Sequence, residues 1–267
     1  MLHRHRQWLG FAPIIFVLVL MIAHNGYGRW RQMQRDRLRL AAWGENRPDG
    51  GSESRGPYGM TPLMIAAEAG NTLLVQQLLR QGASLHAMDS LGNIPLAWGA
   101  ESGNVQVAGL LLGKGINVNA GAGQNGPPLL WAALSGNPAM VHLLLTQGAD
   151  PNASDRAGLT PLMNAVQLRR SLSSEPVSLA AGKAMARDLL AHGAKVNAEN
   201  TAGQTALMLA ARANISLVRM LLAAGADPHH RDRQGQTALD YGRYSRNSAI
   251  MRLLRSVNEP AVKPHAP

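Results

Sequence analysis

Few residues in this chain are spaced for covalent chemistry. Histidines fall close together only at His3/His5 and His229/His230. A zinc ion needs at least three protein donors converging on one point, and neither pair has a third ligand at a usable spacing, so both read as solvated imidazoles. The chain has no cysteine, which excludes disulfides, thiolate nucleophiles and thiolate metal sites but fits a reducing cytoplasm and a periplasm equally. No His-Glu-x-x-His, Gly-rich phosphate loop or nucleophile elbow occurs, and no Ser, His and Asp can be joined into a triad except arbitrarily. Glu68 and Glu101 are 33 residues apart. In a fold that repeats with the same period, two carboxylates at that spacing would be stacked neighbours suited to binding rather than to acid–base work. The expectation is a non-enzyme with no catalytic residue, cofactor, metal or small-molecule substrate.

Charge is the other chemical resource. Lys and Arg number 26 against 16 Asp and Glu, giving a formal net charge of +10. The surplus is mostly arginine and unevenly placed, with one run from Arg29 to Arg39 and a second group at Arg212, Arg219, Arg231, Arg233, Arg243, Arg246, Arg252 and Arg255. Such groups suit an acidic partner, nucleic acid or an anionic membrane. Nucleic acid is not expected, because no aromatic residues are interleaved with the arginines to stack on bases.

These side chains need elements to carry them. Residues 8–27 hold no acidic or basic side chain apart from His24 and centre on Ile14-Ile15-Phe16-Val17-Leu18-Val19-Leu20. About 20 apolar residues in a helix cover a hydrocarbon core of about 30 Å, and Trp8 and Tyr27 stand where interfacial aromatics are favoured. The segment is read as a single membrane anchor behind a basic tail, 1–7. The competing reading is a cleaved secretory signal, although no Ala-x-Ala follows the apolar core and the arginines of 29–39 come directly after it. The expected location is the plasma (inner) membrane, single-pass. The arginines after the anchor favour a cytoplasmic domain, whereas a short basic tail before a lone anchor favours the opposite side, so orientation stays open. Residues 28–55 read as a basic juxtamembrane stretch and a polar linker.

Beyond the linker the chain repeats. Thr61-Pro62-Leu63 recurs as Ile94-Pro95-Leu96, Pro127-Pro128-Leu129, Thr160-Pro161-Leu162, Thr205-Ala206-Leu207 and Thr237-Ala238-Leu239, at intervals of 33, 33, 33, 45 and 32. Gly82, Gly115, Gly148, Gly193 and Gly225 keep step at 33, 33, 45 and 32. Within a unit, Thr61 caps a helix that starts at Pro62, where the missing N–H costs nothing, and Leu63, Ala66 and Ala67 form its small apolar face. Gly70-Asn71 ends that helix, and Leu74, Val75, Leu78 and Leu79 fall at the spacing of a second one.

On Gly59-Met-Thr-Pro-Leu-Met-Ile-Ala-Ala-Glu-Ala-Gly-Asn71, Leu78-Leu-Arg-Gln-Gly-Ala83, Gly148-Ala-Asp-Pro-Asn-Ala153 and Gly158-Leu-Thr-Pro-Leu162, the sequence resembles the ankyrin-repeat family over about 56–256. The resemblance implies an all-α solenoid of about six helix-turn-helix units, starting near 59, 92, 125, 158, 203 and 235, behind the single N-terminal transmembrane helix. It departs from the family at the residue after Thr-Pro-Leu, commonly His and here Met64, Ala97, Leu130, Met163, Met208 and Asp240, which removes a hydrogen bond between loops. The fifth unit runs Arg212-Ala213-Asn214 without the interhelix glycine, leaving Asn214 to take the left-handed backbone. The fourth holds 12 extra residues, and Gln167–Ala181 is expected to lengthen both helices around a Ser173-Pro176 turn. Asp240, Tyr241, Arg243, Tyr244 and Arg246 make the last unit a polar cap over Ile250, Leu253 and Leu254, followed by a disordered tail at 257–267.

The resemblance further implies a scaffold that binds a protein partner through loop tips and the exposed positions of the first helices, with a monomeric repeat domain. Mapped here, those positions are Tyr58, Met60, Glu68, Leu91, Asn93, Glu101 and Gln124 in the first three units. In the rest they are Leu134, Arg156, Leu159, Gln167, Arg212, Arg233 and Gln236. An exported regulator of an enzyme, released by signal cleavage, is the alternative role.

Overall fold

A computed structural model describes residues 55–121, 126–167, 178–245 and 247–258, all within the unit Gly50–Pro267. The expected anchor at 8–27, the tail and linker around it, Gln124, the core of the insertion and Arg246 lie outside the described residues.

Twelve α-helices occur among them, in pairs. The first members are α1 (Pro62–Ala69), α3 (Pro95–Ser102), α5 (Pro128–Ser135), α7 (Pro161–Val166), α9 (Ala206–Ala211) and α11 (Ala238–Tyr244). The second members are α2 (Thr72–Arg80), α4 (Val105–Leu112), α6 (Pro138–Thr146), α8 (Leu179–Ala191), α10 (Ile215–Ala223) and α12 (Ser248–Asn258). Each first helix packs against its own partner and against the first helices of the adjoining units, which makes two layers. No helix among the described residues is long and apolar enough to cross a membrane.

The repeat sets this packing residue by residue. Leu63, Leu96, Leu129, Leu162 and Leu207 occupy one position, directly after the residue that opens each first helix, and none exceeds 1% exposure. Ala66, Ala100, Ala133 and Ala210 are buried beside them, and their short side chains let the first helices approach closely. The second helices are amphipathic: Val75 and Leu78 are buried while Leu73 stands 78% exposed. Burying one such Leu contributes about 1.5–3 kcal/mol, so a row of five outweighs any single polar contact in the array.

Caps start the helices. Thr61 and Thr160 accept from the N–H groups of Met64 and Met163 at 3.4 and 3.3 Å. The Met64 thioether also accepts the Thr61 N–H at 3.4 Å, a sulfur standing at the position where the family commonly has His. The loops are tied by other means. Asn119, Asn152 and Asn197 each donate to a glycine carbonyl of the next unit, Gly148, Gly193 and Gly225, at 3.1, 3.0 and 3.2 Å. Their side-chain oxygens accept the N–H of Asp150, Lys195 and Asp227 at 2.9, 2.7 and 2.9 Å.

Four local expectations are corrected. Asn214 takes an extended backbone (φ −158°), not the left-handed one, because α9 stops after six residues and the turn closes through Arg212 in the right-handed helical region. The freed Asn214 side chain accepts the Ser216 N–H at 2.7 Å. In the fourth unit only the second helix is long: α7 ends at Val166 after six residues, whereas α8 has 13. Ser178 caps α8 by accepting the Ala181 N–H at 3.1 Å, which fixes where it begins. Tyr241 is not part of a polar outer cap but is buried at 4% exposure, while Ile250 and Leu254 are fully buried as expected. The helix α12 continues through Asn258, two residues into the stretch read as tail.

Candidate protein-binding face

In four of the six units the first helix is preceded by a hairpin-like loop that one carboxylate or amide organises. The oxygen Oδ1 of Asp89 accepts the N–H groups of Leu91 and Asn93 at 2.8 and 2.9 Å. Asp155 does the same for Ala157 and Leu159, Asn200 for Ala202 and Gln204, and Asp232 for Gln234 and Gln236. Each of these residues lies six before the residue that opens its helix. Adjacent tips are then joined by backbone bonds: Ser90 N–H to Tyr58 C=O, Thr201 N–H to Ala157 C=O and Arg233 N–H to Ala202 C=O, at 2.9, 2.9 and 3.0 Å. Among the described residues two hydrogen-bonded runs of tips result, one joining Tyr58 to Ser90 and one running from Ala157 to Arg233, set beside the row of first helices.

The second oxygen of two of these aspartates reaches the first helices. Asp89 Oδ2 accepts from Asn93 Nδ2 at 3.0 Å and from Trp98 Nε1 at 3.2 Å. Asp232 Oδ2 accepts the Tyr241 hydroxyl at 2.7 Å, and that hydroxyl accepts Gln204 Nε2 at 2.6 Å. Burial, followed by the bond to Asp232, pushes the Tyr241 phenol above its usual pKa. Trp98 stacks on Trp131 of the next unit with ring centroids 6.4 Å apart.

The residues expected to contact a partner divide by exposure. Arg156, Arg212 and Arg233 are exposed; Leu91, Leu134, Gln167 and Gln236 are half-buried, as are Glu68 and Glu101. Tyr58 is half-buried with its backbone at φ 59°, a left-handed conformation rare for an aromatic residue. Leu159 packs partly against the core. Met60 and Asn93 are corrections: at 0% and 1% exposure neither presents its side chain. Both stand two residues before a first helix, where the extended chain turns the side chain inward, and Asn93 is held there by Asp89.

Several residues of the face escaped the sequence reading. The hairpin carboxylates and amides were legible in principle, since the spacing of Asp89, Asp155, Asn200 and Asp232 to each helix start is constant, but Ala122 interrupts the series in the third unit. The exposed Tyr244, whose hydroxyl accepts Gln236 Nε2 at 3.1 Å, was read only as part of a cap. On the opposite layer, Asp188 of α8 bonds His142 Nδ1 of α6 at 3.0 Å and lies 3.3 Å from His192 Nδ1. Among the described residues no group of His, Cys, Asp and Glu is arranged to hold a metal ion.

A family model described as ankyrin repeats (3 copies) matches residues 39–122 and 177–263, and one described as ankyrin repeats (many copies) matches 129–172. The chain belongs to the ankyrin-repeat family. Ankyrin repeats are protein-interaction modules, and that coarse role holds for this chain. The first match reaches back to residue 39, into the stretch read as a linker. No curated protein matches. Among solved structures, the ankyrin protein is similar to a chain in "Bd0816 Predatory Endopeptidase from Bdellovibrio bacteriovorus in complex with immunity protein Bd3460". That likeness has 27% identity and a TM-score of 0.62, covering 76% of this chain and 99% of that one. It is also similar to the human ASB11 ankyrin repeat domain, with 22% identity and a TM-score of 0.68 over 86% of this chain and 96% of that one, a likeness of fold alone.

Proposed function

We propose that this ankyrin protein is a scaffold tethered to a membrane by residues 8–27, which holds a partner protein against its hairpin tips and first helices. The observation that carries the reading is the set of hydrogen-bonded tips. Asp89, Asp155, Asn200 and Asp232 spend their side chains on fixing loop backbone, so side chains such as Arg156 and Arg233 project from a pre-ordered surface. A surface ordered in advance loses little conformational entropy on binding. Tethering then raises the effective concentration near a membrane partner without adding contacts.

The test is photocrosslinking of the full-length protein in its own cells, with the reactive side chain placed at Leu134 on the face or at Leu73 on the opposite layer. The same protein adduct from Leu134 but not from Leu73 supports the reading. Adducts from Leu73 alone would overturn it. A second reading, regulation of an enzyme, is favoured by the similarity to a chain of an endopeptidase–immunity protein complex. It predicts that the Leu134 adduct contains an enzyme whose turnover falls when this protein is added.

A further inference from the structure

The positions that face a partner are not equally open along the array. Taking the residue six beyond each helix start, Glu68, Glu101, Leu134 and Gln167 are half-buried, while Arg212 and Tyr244 are exposed, Tyr244 to 65%. The accessible part of the row therefore belongs to the last two units.

Charge is concentrated in the same place. Between Thr205 and Asn258 the chain has eight arginines and three aspartates, with no lysine or glutamate. The three aspartates are engaged internally. Asp232 is 5% exposed, with Oδ1 on the loop and Oδ2 on Tyr241. Asp240 accepts the Thr237 N–H and hydroxyl at 2.9 and 2.8 Å and the Arg243 guanidinium at 2.7 Å. Asp227 accepts the His229 N–H at 2.8 Å. Arg243 is thus paired, whereas Arg212 and Arg233 make no ion pair among the described residues.

Hydrogen bonds tie the elements that carry these groups: Tyr241 of α11 joins Asp232 of the tip to Gln204, just before α9, and Tyr244 accepts from Gln236 of the same tip. Arg212 lies close enough for its charge to act on the Tyr241 phenol, and Arg231 and Arg243 act on the neighbouring Asp240. Arg233 sits on the tip that is bonded through its own N–H to Ala202, and Arg231 is held by its bond to the Gly235 carbonyl at 2.8 Å. Two exposed guanidiniums and an exposed phenol are presented side by side in the repeat, Arg212 at the end of α9, Arg233 on the tip and Tyr244 at the end of α11.

We propose that the face formed by α9, α11 and the tip between them takes an acidic segment of the partner protein, with carboxylates on Arg212 and Arg233 and an apolar side chain against Tyr244. Guanidinium forks pair two hydrogen bonds to a carboxylate, and the Tyr244 ring supplies apolar contact area at low conformational cost. The inference rests on the scaffold reading and adds to it the chemistry and the place of the contact. Nucleic acid and anionic lipid share negative charge, but the patch offers a single exposed aromatic rather than a stacking series.

The experiment titrates a fluorescent short peptide of Asp and Glu around a central Leu into the full-length protein, beside a lysine-substituted peptide, a uridine oligonucleotide and phosphatidylglycerol vesicles. Saturable binding of the acidic peptide alone is expected, weakened by about tenfold or more in Arg212→Glu/Arg233→Glu. It should be unchanged in Arg219→Glu/Arg252→Glu, whose arginines lie on second helices. Unchanged circular dichroism separates loss of binding from loss of fold, and Arg212→Gln/Arg233→Gln supplies a milder pair. No saturable binding, equal weakening by both charge-reversal pairs, or tighter binding of the oligonucleotide or vesicles through Arg212 and Arg233 would overturn the proposal. If the Leu134 adduct forms equally well in Arg212→Glu/Arg233→Glu, this inference fails while the scaffold reading stands. If wild-type protein gives no Leu134 adduct, the scaffold reading itself has failed.

Discussion

Replacing Gly158 by Ala separates two costs that the repeat ordinarily superimposes. Gly158 has φ +72°, and an added Cβ would lie 2.9 Å from Asn200 Cα, 2.9 Å from Thr201 N and 3.2 Å from Asn200 C. All three are backbone atoms, so no rotamer change relieves the contact, and the strand of loop carrying the Thr201 N–H to Ala157 C=O bond must move away. Gly148 has the same backbone sense at φ +83° but nothing within 4 Å of an added Cβ. Left-handed strain alone costs roughly 1–2 kcal/mol, which is the expected loss for Gly148→Ala. The clash adds about 1–3 kcal/mol for Gly158→Ala. Urea denaturation of the two variants against wild type measures the difference, and hydrogen exchange at the Thr201 amide shows where it arises. Equal losses within about 0.5 kcal/mol, the usual error of additivity, would refute the claim that the hairpin tips are packed against each other unit to unit.

Other outcomes follow from single groups. Asn152→Ala removes two inter-unit bonds; at about 0.5–1.5 kcal/mol each the expected loss in chemical denaturation is roughly 1–3 kcal/mol, with faster exchange at the Lys195 amide. Thr205 Oγ1 is buried with no partner, so Thr205→Val should leave the melting temperature unchanged or raise it. Thr160→Val removes a real cap and should cost about 1 kcal/mol. Tyr241→Phe leaves the buried Asp232 Oδ2 without its donor, a loss of about 1.5–3 kcal/mol by urea denaturation. The Tyr241 phenol is raised in the folded state, so its contribution is complete below the unfolded value of about 10 and is lost as pH rises through the folded one. Alkaline melting curves of wild type should therefore fall more steeply than those of Tyr241→Phe.

The repeat was legible because its markers do structural work in every unit. Leu63 and its equivalents fill the same buried position, and two marker series in step leave no room for another period. Failures came where a unit solves the same problem with different atoms. Asn214 looked like a left-handed stop because a glycine was missing, but shortening α9 removed the need for one. The insertion was read as extending both helices, yet the Ser178 cap allots the gain to α8. At the candidate face, position in the repeat located the tips correctly but did not tell inward from outward at Met60 and Asn93, since the alternation of an irregular loop is set by its hydrogen bonds. The bonds that matter most there, from Asp89 to Asp232, join residues of unremarkable type, and only their constant offset from each helix start marks them.

If one face of the array, tips and first helices, receives the partner, the amides of that face are shielded in the complex. Hydrogen–deuterium exchange of the full-length protein, alone and with the partner identified by crosslinking, tests it most directly. Slowed exchange is expected at the tips around Arg156 and Arg233 and along α9 and α11, with α2, α4, α6 and α10 unchanged. Protection confined to those second helices, with the tips exchanging as before, would contradict it.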